Sequence, residues 1–288
     1  MIDLKQEGRI LYVSSVDISL SNGPGINERE FIFALHKAFG NRVHFLVPDP
    51  QNEFSEIRRN YFEFSHNHRQ HYPPAYFVHL FSQFGLANSL LASGKFDFVV
   101  FRLSDLPVVE SYITRRHREI PYAIKTLGTL DALWQQKGIK GALGKALTPI
   151  SLKLFRDITS RALAIDTCTK VFLDYHQTRL NLPRSKLRVI ENSTNTDRFF
   201  PSDTIMTRSR LGLESFNPIV GYAGGRPWDR GGRQLIEVTS ELVKKYPSLG
   251  IVIVGGGAGL RELKTLAEKN KIVNQCTFTG SVSYDLVP

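Results

Sequence analysis

The feature that most constrains this chain is an alternation repeated along almost its whole length. Short apolar, β-branched runs lie at residues 10–13, 43–47, 96–101, 122–124, 163–165, 187–190, 219–222, 251–254 and 277–279. Each reads as a buried strand. Between them, residues 28–39, 106–118, 170–181, 234–245 and 261–269 carry apolar side chains at helical spacing. The alternation of strand and helix predicts an α/β fold, with parallel sheets covered by helices on both faces. At 288 residues and 42% hydrophobic content, there is apolar material for more than one core.

The alternation breaks between residues 195 and 217, where Arg198, Pro201, Ser202, Asp203, Arg208 and Arg210 crowd a stretch without apolar period. This places a boundary between two doubly wound domains, residues 1–200 and 201–288, with a short helix expected at 203–211. Six strands precede the boundary and three follow it. An open sheet of this class has about five or six strands, so the second domain is expected to be incomplete, with apolar strand edges such as 251–254 lacking cover.

Cys168 and Cys276 are the only cysteines and lie far apart in sequence, which leaves a disulfide framework or cysteine metal site without support and points to a reducing, cytoplasmic setting. Residues 1–9 include Asp3, Lys5 and Glu7 and do not read as a signal peptide, and no apolar run is long enough to span a bilayer. The net charge of +10 calls for an anionic partner. With no helix-turn-helix, zinc-finger or RNP signature, nucleic acid is not expected among the partners.

Two glycine-bearing turns follow strands and lead into helices. The first, around Gly23, Pro24 and Gly25, would let backbone N–H groups approach an anion, as would many ordinary β-to-α turns. The second, Gly224 and Gly225 to Gly231 and Gly232, adds Arg226 and Arg230. Guanidiniums beside a helix N-terminus suit the negative charge that develops on a departing diphosphate; solvated surface arginines would leave the same pattern. Residues 251–260 superficially match the dinucleotide fingerprint. Counting from Gly255 and Gly257, however, Leu260 stands where the third glycine belongs, and no acidic residue follows in 277–280. A nicotinamide cofactor is therefore not expected.

Residues 189–200, from Val189 through Asn192 and Asp197 to Phe200, resemble the interdomain run commonly written VIPNGVDTERF. Residues 220–254 resemble a donor-domain opening, and 278–288 resemble FxGxVxxxxxP. These motifs are similar to those of retaining glycosyltransferases with two facing Rossmann domains (GT-B type, family 4). The resemblance implies transfer of a hexose from a nucleotide-diphosphate sugar, with retention, to a glycan, lipid-linked or small-molecule acceptor.

It also implies donor contacts at Gly224, Gly225, Arg226, Arg230, Gly255 and Val282, with Gly23 and Gly25 as an anion or acceptor loop; peripheral contact with the inner face of the membrane is a separate expectation, from the composition of residues 134–155. Arg230 follows Arg226 by four residues where the family usually spaces its Arg and Lys by five. Leu127, Gly128 and Thr129 occupy the place of a histidine often found in the first domain. The family's pair of glutamates would fall beyond Pro288, so the catalytic residues are unassigned and a non-catalytic remnant or one part of a split enzyme is the alternative.

No Asp-x-Asp occurs, and charge compensation by arginine and helix dipole predicts that no metal or cofactor is needed. His66, His68 and His71 read as a polar loop rather than a metal site. Residues 134–155 mix lysines with apolar side chains, a composition suited to an anionic membrane surface. Gly138, Gly141, Gly144 and Pro149 argue there for a loop followed by a core helix rather than one continuous helix.

Overall fold

A computed structural model describes residues 8–18, 23–48, 61–64, 73–104, 106–126, 139–192 and 194–288. The chain divides into two compact units, Met1–Leu20 with Asn27–Ser193, and Ser21–Ile26 with Thr194–Pro288. In chain order the first sheet and its helices are β1 (Ile10–Val13), α1 (Gly23–Phe39), β2 (Val43–Pro48), β3 (Tyr61–Phe64), α2 (Pro73–Ala92), β4 (Phe98–Arg102), α3 (Val108–Arg116), β5 (Tyr122–Thr126), α4 (Ile139–Arg161), β6 (Ala164–Thr167), α5 (Lys170–Leu180) and β7 (Leu187–Val189). After α6 (Ile205–Arg210) come β8 (Ile219–Ala223), α7 (Arg233–Leu242), β9 (Gly250–Val254), α8 (Leu260–Lys269) and β10 (Cys276–Gly280).

The first sheet is parallel throughout, in the order β3-β2-β1-β4-β5-β6-β7. The chain winds outward from β1 one way and from β4 the other, so β1 and β4 form the switch point of a doubly wound fold. Alternate strand residues face opposite sides. Leu11, Val13, Phe101, Ile124 and Ile165 join Leu91, Ile113, Ile158 and Leu173 of the helices in one buried cluster. Ile10, Tyr12 and Phe45 pack with Ile32 and Phe31 of α1 in the other. Burial on both faces is why these strands read as near-continuous apolar runs.

Three expectations are corrected. Among the described residues the first sheet has seven strands, not six: β3 adds to the edge through β2. A four-residue run interrupted by Glu63 gives too little apolar pattern to read locally. Helix α4 runs continuously from Ile139 to Arg161 with Pro149 inside it, and α2 fills a span, Pro73–Ala92, where no helix is expected from the sequence. Pro149 removes one intrahelical bond, but Phe155 and Ile158 are buried and the Tyr122 hydroxyl donates to the Ile158 carbonyl at 2.6 Å, so tertiary packing outweighs local propensity.

In the second unit three parallel strands are ordered β10-β9-β8. The expected uncovered edge at 251–254 is not found. β9 is the central strand, bonded on both sides, and Ile251 and Ile253 are fully buried with Ile236, Leu263 and Ala267 of α7 and α8. The open edges are β8 and β10, and Val220 on β8 is exposed.

Candidate functional site at the carboxyl edge of the second sheet

The turn leaving β8 is built on close backbone approach. Gly224 donates to Val254 O at 2.9 Å, Arg226 N–H donates to Gly256 O at 3.3 Å, and Gly255 N–H donates to Gly280 O at 2.9 Å. The loops after β8, β9 and β10 therefore meet at one edge. Gly255 has φ +130°, and a Cβ there would lie 2.0 Å from the Gly224 carbonyl oxygen. Only glycine fits. A Cβ at Gly259 would lie 2.2 Å from Cβ of Trp228, and one at Gly256 would lie 2.4 Å from the Ser281 hydroxyl.

Arg226 adopts a left-handed φ of 52°, uncommon for a side chain of this size. Its Nε and Nη2 both reach Asp229 Oδ2, at 3.1 and 2.7 Å. Gly231, at φ +102°, and the Gly232 N–H bond to Pro227 O at 2.8 Å complete the turn into α7. Arg230 is exposed, and among the described residues its guanidinium has no hydrogen-bond or ion-pair partner.

The structure thus brings Gly224, Gly225, Arg226, Arg230 and Gly255 together within one unit, and Val282 follows Ser281 just past β10. It separates the two arginines in state: one is held by a carboxylate, the other is open. Gly23 and Gly25 lie inside the first turn of α1, which begins five residues before the 28–39 span of helical spacing, and neither has a left-handed φ. Among the described residues no metal-ligating cluster forms and no helix is long and apolar enough to cross a membrane. His66, His68 and His71, and Leu127 to Thr129, lie outside the described residues.

Comparison with known proteins bears on this edge directly. Residues 206–288 match the family model of glycosyl transferases group 1. Among curated relatives, the alpha-D-kanosaminyltransferase of Streptomyces kanamyceticus is 26% identical over 144 residues, 49% of this chain and 37% of that protein. The GDP-mannose-dependent alpha-(1-6)-phosphatidylinositol monomannoside mannosyltransferase of Mycobacterium tuberculosis is 29% identical over 110 residues, 37% of this chain and 28% of that protein. The matched stretches thus span well under half of those relatives' lengths.

Among solved structures, HepE of Anabaena in complex with UDP has TM-score 0.64 at 15% identity, over 96% of this chain and 70% of that one. A glycosyltransferase from Rickettsia africae has TM-score 0.64 at 18% identity, over 96% and 69%. The fold is that of GT-B glycosyltransferases.

One group of side chains escaped the sequence reading. Glu28 of α1 is fully buried; its Oε1 accepts from the Tyr12 hydroxyl at 2.6 Å and its Oε2 pairs with Arg102 at the end of β4. Burial and the Glu28 carboxylate hold the Tyr12 phenol well above its usual range. This network ties α1 to the switch point. The available signal was in the strands themselves, since the apolar runs of β4, β5 and β6 each take on a charge near the end, at Arg102, Lys125 and Asp166.

Proposed function

We propose that the complete protein transfers a hexose from a nucleotide-diphosphate sugar to an acceptor hydroxyl with retention of configuration, as a family 4 enzyme. The observation that carries this reading is the open Arg230 guanidinium at a glycine turn where three loops meet. UDP or GDP leaves with negative charge on its phosphate oxygens, and Arg230 with the N-terminal end of α7 supplies fixed positive charge there. The backbone near Val282 is assigned to the base. This reading includes a cytoplasmic setting, in which the exposed Lys145, Ile150 and Lys153 of α4 offer a basic surface for peripheral contact with an anionic leaflet.

Arg226 is preset rather than free. A diphosphate entering the turn competes with Asp229 for it, and Asp229 repels the incoming charge. Asp229→Asn is expected to tighten UDP binding by up to about tenfold, a change of about 1.4 kcal/mol. Stability should change by less than about 1 kcal/mol, because the pair is solvent-exposed. Titration calorimetry and urea denaturation check both halves, and weaker UDP binding in the variant would contradict the competition.

Charge compensation by arginine and helix dipole also predicts turnover without a divalent cation. Transfer from the sugar nucleotide should persist in excess EDTA. A large loss restored by Mg2+ or Mn2+ would overturn the assignment.

A further inference from the structure

The charged row across the first sheet has a feature that the Glu28 network does not use. Arg102, Lys125 and Asp166 are register partners across β4, β5 and β6, so their side chains emerge on one face of the sheet at its carboxyl edge. That edge, beside the switch point, is where open parallel sheets bind ligands.

Arg102 is satisfied by Glu28. The other two keep hydrogen-bonding atoms without a partner among the described residues. Lys125 is 5% exposed, and its ammonium sits 3.6 Å from the centroid of the Phe31 ring. Among the described residues it has no hydrogen-bond or ion-pair partner. Asp166 Oδ1 is buried and, among the described residues, has no hydrogen-bond partner. Arg188, the register partner of Asp166 on β7, turns its guanidinium to the Ser185 and Leu187 carbonyls instead. Cys168 lies within electrostatic range of both Lys125 and Asp166 but offers only a buried thiol.

A buried ammonium and a buried carboxylate oxygen left open side by side are costly to keep. Resting on the glycosyltransferase reading, we propose that Lys125 and Asp166 form a subsite for hydroxyls of a polyhydroxylated acceptor. A hydroxyl is the group that answers both needs at once, donating to the Asp166 carboxylate while accepting from the Lys125 ammonium. The three charges of the row and the Glu28 carboxylate beside it sum to zero when all are ionised, which suits a neutral sugar ring better than an anionic group.

The electrostatics give a second, independent readout. Desolvation raises the Asp166 carboxyl to about 6, against the attraction of Lys125 and the Ile190 backbone N–H. Desolvation likewise lowers Lys125, against the pull of Asp166 and Glu28. Because the folded pKa of Asp166 exceeds its unfolded value of about 3.9, the folded chain holds that proton more tightly and loses stability as pH rises from about 4 to 6. Asp166→Asn should match the parent below about pH 4 and melt roughly 2–4 °C higher above pH 6. A binding residue held against stability behaves this way.

The test is saturation-transfer NMR of the full chain with methyl α-D-glucopyranoside and methyl α-D-mannopyranoside. The parent should bind at least one of them. Asp166→Asn and Lys125→Met should each weaken that binding at least about fivefold, a cost of about 1 kcal/mol for one lost hydrogen bond. Lys244→Ala, at an exposed position of the second unit, should leave it unchanged. Equal binding by the parent and both variants, or no binding of either glycoside by the parent, would overturn the subsite. UDP titrations on the same samples keep the two readings apart: absent UDP binding by the parent counts against the donor reading alone.

Discussion

Arg230→Ala in the complete protein is expected to cost about 2–4 kcal/mol of transition-state stabilisation, a fall in kcat/KM of roughly 30- to 1000-fold. The estimate is the usual cost of removing one donor aimed at developing charge. It should fall on Arg230 rather than Arg226, because Arg226 is already engaged by Asp229 while Arg230 is open among the described residues. The fold should be untouched, since the side chain is exposed and bonds to nothing described. Arg230→Lys should recover part of the loss, because it restores the charge without the planar fork. Steady-state kinetics with the sugar nucleotide check it, with the circular dichroism melt as the folding control. Near-normal kcat/KM in Arg230→Ala would remove the diphosphate role from this residue.

Gly255→Ala should be more damaging still, acting on the loop rather than on charge. Its Cβ would fall 2.0 Å from the Gly224 carbonyl oxygen, and its backbone at φ +130° lies where side chains are strained. One strained residue of this kind costs on the order of 1–3 kcal/mol, and relieving the clash requires the turn after β8 to move. The hydrogen bonds Gly224 N–H to Val254 O and Gly255 N–H to Gly280 O would be lost or lengthened with it. UDP binding is expected to become undetectable by calorimetry, with an earlier urea midpoint for the second unit. Gly225→Ala is the control, because a Cβ there meets nothing within 4 Å and its φ is not left-handed. Gly255→Ala with parental UDP affinity would mean that the three-loop junction does not shape the nucleotide site.

The strands were legible because burial on both faces of a parallel sheet demands consecutive apolar residues, and β1, β2, β5 and β9 supply them. The edge strand β3 was not, since an edge position asks for less. Helix α4 was misread for the opposite reason: Pro149 and the glycines are strong local signals, overridden by what Phe155 and Ile158 bury. At the site, glycines and arginines were visible as residue types in order. Their pairing was not. Nothing in residues 224–232 distinguishes an arginine clasped by Asp229 from one left open, and the long reach of an arginine side chain makes either outcome possible from the same spacing.

By itself the sequence determined the parallel α/β class, the break between the two sheets, and the glycine turn with its two arginines. Each is written in local pattern: apolar period, a lapse in that period, and residues that tolerate unusual backbone angles. Only the tertiary structure decided that β9 is central, that Gly255 is locked against Gly224, and that Arg102, Lys125 and Asp166 share one row. Strand order and register bring together residues as far apart in sequence as Glu28 and Asp166. Which charged side chains end up buried beside one another depends on that register, which no local stretch of residues encodes.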